Sequence, residues 1–194
     1  PMRSDITFQN LGTIRGMIAV DQVGALGGSK NMYVHGGETT DGGAGMAAFL
    51  SNVMVELSSS DNNDGGDRYT VQASSVGQQD DGTVPLPPTP LSSLVKISGS
   101  SIGGIVLSGY DDAFVAKSVY HSHLDSTTTS SSKLVSIDKE AIARAATLLA
   151  RAAVAAAYQD EDNGVDYETA AAYAVKLLPN AVDSTSDTFT KLYN

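Results

Sequence analysis

Residues 85–114 read PLPPTPLSSLVKISGSSIGGIVLSGYDDAF, and three changes of texture within them set the fold class. Pro85, Pro87, Pro88 and Pro90 forbid a regular ladder, because proline fixes φ and offers no N–H. They predict a rigid turn leading into a short helix over 91–97, although PLPPTP could also dock in an aromatic groove as a polyproline II ligand. The run GIVL at 104–107 then reads as a buried strand whose glycines suit close packing. Ser108, Gly109, Tyr110, Asp111 and Asp112 follow at its carboxyl end, which is where open α/β sheets usually build their sites.

Toward the amino terminus, IRGMIAV at 14–20 reads as another buried strand ending at Asp21, broken by the glycine-rich text of 24–28. Residues 32–34 predict a short second strand, followed by a polar loop over 36–45. Met46, Phe49, Leu50, Val53, Met54 and Leu57 then repeat at helical spacing. The stretch SSSDNNDGGD at 58–67 is too polar to bury enough surface to fix a conformation, so it predicts a mobile surface loop. Residues 69–73 alternate as a strand does, and 77–83 turn polar again.

Toward the carboxyl terminus, 119–125 reads as extended or irregular and 126–132 as an almost uninterrupted hydroxyl loop. Residues 137–158 predict a long helix, with Asp138 and Glu140 at its amino end and alanine through its interior. Ile142, Leu149, Ala145, Ala152 and Ala156 form one apolar face, which predicts close packing on a sheet or helix. Residues 159–164 end that helix, Asp166 can cap another through Leu178, and Pro179 stops it. Strands and helices alternate, so the expectation is a layered α/β domain over 1–194 with polar loops near 36–45, 58–67 and 126–132.

Twelve Lys and Arg against 22 Asp and Glu give a net charge of −10, which argues against sequence-blind binding of nucleic acid. At 41% hydrophobic and 18% charged residues, the chain is too apolar to be wholly disordered. Its most apolar long stretch, 141–158, is interrupted by Arg144 and Arg151, so no transmembrane segment and a soluble chain are expected. Residues 1–10 lack the apolar core of a secretory signal. Without cysteine there is no disulfide framework or thiolate metal site, and no Asn opens a glycosylation sequon, which leaves the compartment undecided.

Chemistry-bearing residues are sparse. The histidines are His35, His121 and His123, with Asp111, Asp112 and Asp125 as nearby acids. HSHLD at 121–125 could set an imidazole and a carboxylate around a divalent metal, and equally could be loop-orienting residues in a Ser/Thr-rich region. No serine sits in a Gly-X-Ser-X-Gly elbow, and Ser108 reads as a strand-end turn former. GALGGSK at 24–30 lacks the spacing of a phosphate loop. Asp160, Glu161 and Asp162 read as a solvated helix end.

Four segments together resemble the nicastrin family, the large ectodomain subunit of the intramembrane protease γ-secretase. Residues 85–114 resemble its proline-rich turn, short helix and strand ending in a small-residue, acidic and Phe cluster. KSVYHSHLDST at 117–127 resembles its tyrosine-containing segment, and IARAATLLARAAVAAAYQ at 142–159 its next helix. IRGMIAVDQVGALGGSKNMYVH at 14–35 resembles the strand and turn before them, so the resemblance spans about 14–178. The DQVGALG wording and the Asp/Asn/Ser insertions look more like a plant member than an animal one.

The resemblance implies an incomplete α/β/α lobe of zinc-aminopeptidase and transferrin-receptor type. It also implies a noncatalytic pseudoenzyme role: screening protein substrates and stabilising a membrane complex with presenilin and the other γ-secretase subunits. The family's lumenal or extracellular ectodomain, its glycosylation and its place in protein processing and Notch signalling come with it. In the related enzymes a strand-end Asp and a late His-containing segment are zinc ligands; Asp21 matches the first and His121, with Asp125 beside it, the second. No His-x-Asp precedes them and no Glu-Glu pair supplies a general base, so these are vestigial candidates, with no catalytic residue and no cofactor expected. The missing ligands, the family's Asp-Tyr-Ile-Gly segment and its anchoring helix are expected outside this stretch, and an uncovered lobe is expected to self-associate. The alternative is a truncated zinc-dependent aminopeptidase in which Asp21 and His121 converge on a metal.

Overall fold

The computed structural model describes residues 14, 16–24, 30–36, 44–60, 69–76, 86–97, 102–113, 137–159, 164–186 and 191. They form, in order, β1 (Gly16–Asp21), β2 (Asn31–His35), α1 (Ala44–Ser60), β3 (Thr70–Ala73), α2 (Pro90–Ile97), β4 (Gly103–Ser108), α3 (Lys139–Tyr158) and α4 (Tyr167–Leu177). The strands make one sheet in the order β1-β4-β2-β3. β1 runs parallel to β4 and β2 parallel to β3, while β2 and β4 are antiparallel. The sheet is therefore mixed, and β4, flanked on both sides, is buried along all six residues.

Side chains alternate across a strand, so register sorts the two faces. A Cβ on Gly16 would meet Met46 and Leu50 of α1, whereas one on Gly104 would meet Leu91 and Val95 of α2. Gly16 lies opposite Gly103, so Gly103, Ile105 and Leu107 face α1, and Gly104, Val106 and Ser108 face α2. α1 packs against one sheet face and α2 against the other. α3 and α4 pack on α1 and on each other, behind it from the sheet. Met32, Val34, Val53, Met54, Leu57, Ile105, Leu107, Leu148 and the alanines of α3 and α4 belong to one buried core.

The helices follow their local chemistry. Asp138 caps α3 by accepting from the backbone N–H groups of Glu140 and Ala141, at 3.0 Å each, and its own N–H donates to Gly24 O at 2.9 Å. Those bonds satisfy amides that the first helical turn leaves without partners and tie the helix to the end of β1. Asp166 caps α4 through Thr169 N at 2.7 Å, and Pro179 follows its C-cap, Leu178.

Several expectations are corrected by packing. The loop at 36–45 is shorter at its far end, because Ala44 and Gly45 already belong to α1. The polar stretch at 58–67 loses Ser58, Ser59 and Ser60 to the same helix. Ser58 is buried because its hydroxyl donates to Val55 O at 2.8 Å and accepts from Val71 N at 3.1 Å, joining α1 to β3. Residues 37–43, 61–68 and 126–132 otherwise lie outside the described residues.

On α3 the buried row is Ala141, Ala145, Leu148, Ala152 and Ala155, with Ile142, Leu149 and Ala156 only half-buried. Two helices pack on α3, and the alanines permit their close approach. By length and composition α3 could cross a membrane. Here it is a core helix whose Arg151, 2% exposed, donates from Nε to Leu178 O at 3.0 Å and from Nη2 to Pro179 O at 3.3 Å. Read in the sequence as an interruption, Arg151 is a tie from α3 to the end of α4.

Candidate functional site

The carboxyl ends of β1 and β4 lie side by side, with Asp21 opposite Ser108. Just beyond them, Gly109 N donates to Asp21 O at 3.2 Å. Gln22 adopts a left-handed φ of 50°, and a Cβ on Gly109 would stand 2.3 Å from Gln22 O. The two backbones approach so closely that only glycine fits at 109.

Residues 109–113 then turn back over the face of the sheet that Val106 and Ser108 share with His35. Ser108 Oγ donates to Tyr110 O at 2.6 Å. His35 Nε2 lies 2.8 Å from Ser108 Oγ and 3.0 Å from the same carbonyl. Because the serine proton goes to the carbonyl, the consistent assignment has His35 protonated on Nε2 and donating to both oxygens. The Tyr110 ring covers the imidazole at a centroid distance of 5.6 Å, and its hydroxyl donates to Asp21 Oδ2 at 2.8 Å. Next along the chain, Asp111 accepts from Ser74 Oγ and Ser75 N at 2.8 Å each and from Ser75 Oγ.

Burial lowers the His35 pKa, and this outweighs the Tyr110 carbonyl and the carboxylates of Asp111 and Asp21, which raise it. At neutral pH the ring is uncharged. For Asp111, partial desolvation pushes the carboxyl up, but hydrogen bonds from Ser75 and Ser74, aided by His35, hold it below its usual range.

The Ser108 to His35 distance is that of a nucleophile and its base, but Ser108 is wholly buried and its proton is given to Tyr110 O. The pair holds a turn in place. Among the described residues no group of three or more His, Cys, Asp or Glu is placed to hold a metal. Asp21, the matched strand-end ligand, offers a carboxylate already engaged by Tyr110, so no chemistry through zinc is derived. His121, His123 and Asp125 lie outside the described residues.

The sequence reading saw Asp21 and noted Asp111 and His35, but not that one tyrosine joins them. The available signal was a histidine closing a short apolar strand, NMYVH, together with a second strand running into Ser-Gly-Tyr-Asp.

A mixed α/β sandwich with a tyrosine-latched pair of strand ends is the class of domain these features define. The sequence matches the family model described as Nicastrin large lobe over residues 4–154. The chain belongs to the nicastrin family, that of a noncatalytic component of γ-secretase. No curated protein and no solved structure matches it.

Proposed function

We propose that this chain is a noncatalytic structural and interaction part of a nicastrin-type large lobe. In that role it screens protein substrates sterically and stabilises a complex with presenilin and the other γ-secretase membrane subunits, on the lumenal or extracellular side. The family match over 4–154 carries the reading. The closed geometry at the strand ends supports it, since Ser108 and His35 are buried and Asp21 is bonded to Tyr110. One lobe spanning 1–194 is part of the same proposal, supported by a core to which β2, β3, β4, α1, α3 and α4 all contribute.

The test is co-precipitation of the full parent protein with presenilin, run beside zinc calorimetry on the wild-type chain and the variants Asp21→Ala and His121→Ala. Association without zinc binding is the expected result. Tight zinc binding lost in both variants would move the chain to the aminopeptidase reading, because ligand bonds of about 2 Å require the two side chains to converge.

A further inference from the structure

The largest fully buried apolar side chains, Met32, Met54, Leu57, Ile105, Leu107 and Leu148, stand on the sheet, α1 and α3. To that core α4 adds Ala170, Ala171 and Ala174 at full burial. Its larger side chains lie farther out: Tyr167 and Val175 are half-buried, and Tyr173 and Leu177 are 40% and 55% exposed. A buried alanine removes one methyl from water where a leucine removes several carbons, so α4 is seated with little apolar area of its own.

The two ends of this helix supply the remaining hold. At the end nearer α3's last turn, Tyr173 stacks on Tyr158 at a centroid distance of 4.0 Å, on the surface. At the other end, α3 binds the main chain that follows the helix. Arg151 donates to Leu178 O and Pro179 O, and Val182 N donates to Thr147 Oγ1 at 2.8 Å. The Thr147 proton goes to Ala143 O at 3.0 Å, which leaves the oxygen to accept. These bonds run to backbone atoms, while residues 179–183 stay exposed. The family match ends at 154, so α1, Thr147 and Arg151 lie within it and α4 with its following segment lies outside.

We propose that α4 with residues 178–182 is a detachable arm, and that the groove it fills between α1 and α3 also accepts the same arm from a second copy of this chain. The fit fixes the occupant. A helix entering this groove must set small side chains against α1 and α3, as Ala170, Ala171 and Ala174 do. It must also end where Arg151 takes two successive carbonyls and Thr147 takes an N–H three residues later. The arm of a second copy meets each condition by identity, and exchange of an identical element is a low-cost route to a dimer. Arg151 keeps both carbonyl partners in the exchanged form, whereas an empty groove forfeits them, so refilling is favoured.

The test uses the whole chain carrying Ala171→Glu, which sets a carboxylate at a position of 0% exposure and so keeps the arm out, with a labelled peptide of residues 164–186 as probe. Hydrogen exchange should find α4 unprotected in this variant while β4 and α1 stay protected. Fluorescence anisotropy should show saturable binding of the peptide, weakened about tenfold by adding Arg151→Met and less by adding Thr147→Val. The same peptide carrying Ala171→Glu should not bind, and the wild-type chain, whose own arm fills the groove at high effective concentration, should bind at least about tenfold more weakly. Loss of β4 protection in Ala171→Glu would show that the arm is part of the core and would overturn the proposal. So would a folded variant that does not bind the peptide, or binding indifferent to Arg151→Met and to the carboxylate on the peptide.

Discussion

On the α1 face of the sheet, Met32, Val34, Ile105 and Leu107 share a core with Val53, Met54 and Leu57, each no more than 3% exposed. On the opposite face, near the strand ends, His35 and Ser108 are buried as deeply, but hydrogen bonds from a returning turn close over them. Apolar burial is non-directional and tolerates small shifts. A hydrogen-bonded closure is directional, and its balance changes with protonation. One sheet thus carries a side whose stability is indifferent to pH and a side that responds to it.

The largest effect that would break this contrast is on the apolar side. Leu107→Ala should lower the unfolding free energy by about 2–5 kcal/mol in urea melts, with the same deficit at neutral and mildly acid pH. A deficit that grows on acidification would show that the two faces do not separate. On the polar side, Gly109→Ala should cost about 1–3 kcal/mol, because the new Cβ meets backbone at Gln22. Gly104→Ala should cost less, since its Cβ meets the flexible ends of Val95 and Leu91. The reverse order in thermal melts would mean that the turn at 109–113 is loosely held.

Stability against pH sharpens the contrast further. The His35 contribution should be complete above 6.5 and fade as pH falls below it, and His35→Gln should flatten that part of the curve. Asp111, whose carboxyl is held low, contributes above its ordinary 3.8 and is lost as pH falls through that value and below. Asp111→Asn should therefore remove a second, more acidic loss seen in the wild type. A single acid transition untouched by either variant would assign the pH response elsewhere. The smallest effect, remote from both faces, is at the α3 cap: Asp138→Ala should cost about 1 kcal/mol, largely restored by Asn. Circular dichroism melts resolve it, and an effect as large as that of Leu107→Ala would show that the bond from Asp138 N to Gly24 O does more than seat the helix.

Much of the architecture was legible in the chain. GIVL, IRGMIAV and the 46–57 periodicity became β4, β1 and α1, and Asp138, Asp166 and Pro179 marked helix ends as their chemistry requires. Such signals are local: turn residues, caps and the spacing of apolar side chains act within a few residues of themselves. The buried row of α3 was legible in part: Ala145 and Ala152 are buried as expected, but Ala141, Leu148 and Ala155 are buried in place of their neighbours Ile142, Leu149 and Ala156, a choice made only once α1 and α4 are in place.

The candidate site was legible only in pieces. Asp21 stood out as a strand-end acid, and His35, Ser108, Tyr110 and Asp111 could each be read by itself, as a histidine, a turn former and neighbours of a glycine. What joins them is a sheet in which β4 lies between β1 and β2, bringing residues 73 and 89 positions apart within hydrogen-bond distance. By itself the sequence determined the α/β class, the capped ends of α3 and α4 and the absence of cysteine chemistry, because these depend on residue type and near spacing. Only the tertiary structure decided strand order, the fate of Arg151 and the latch over Asp21, because each depends on which distant backbone a side chain meets.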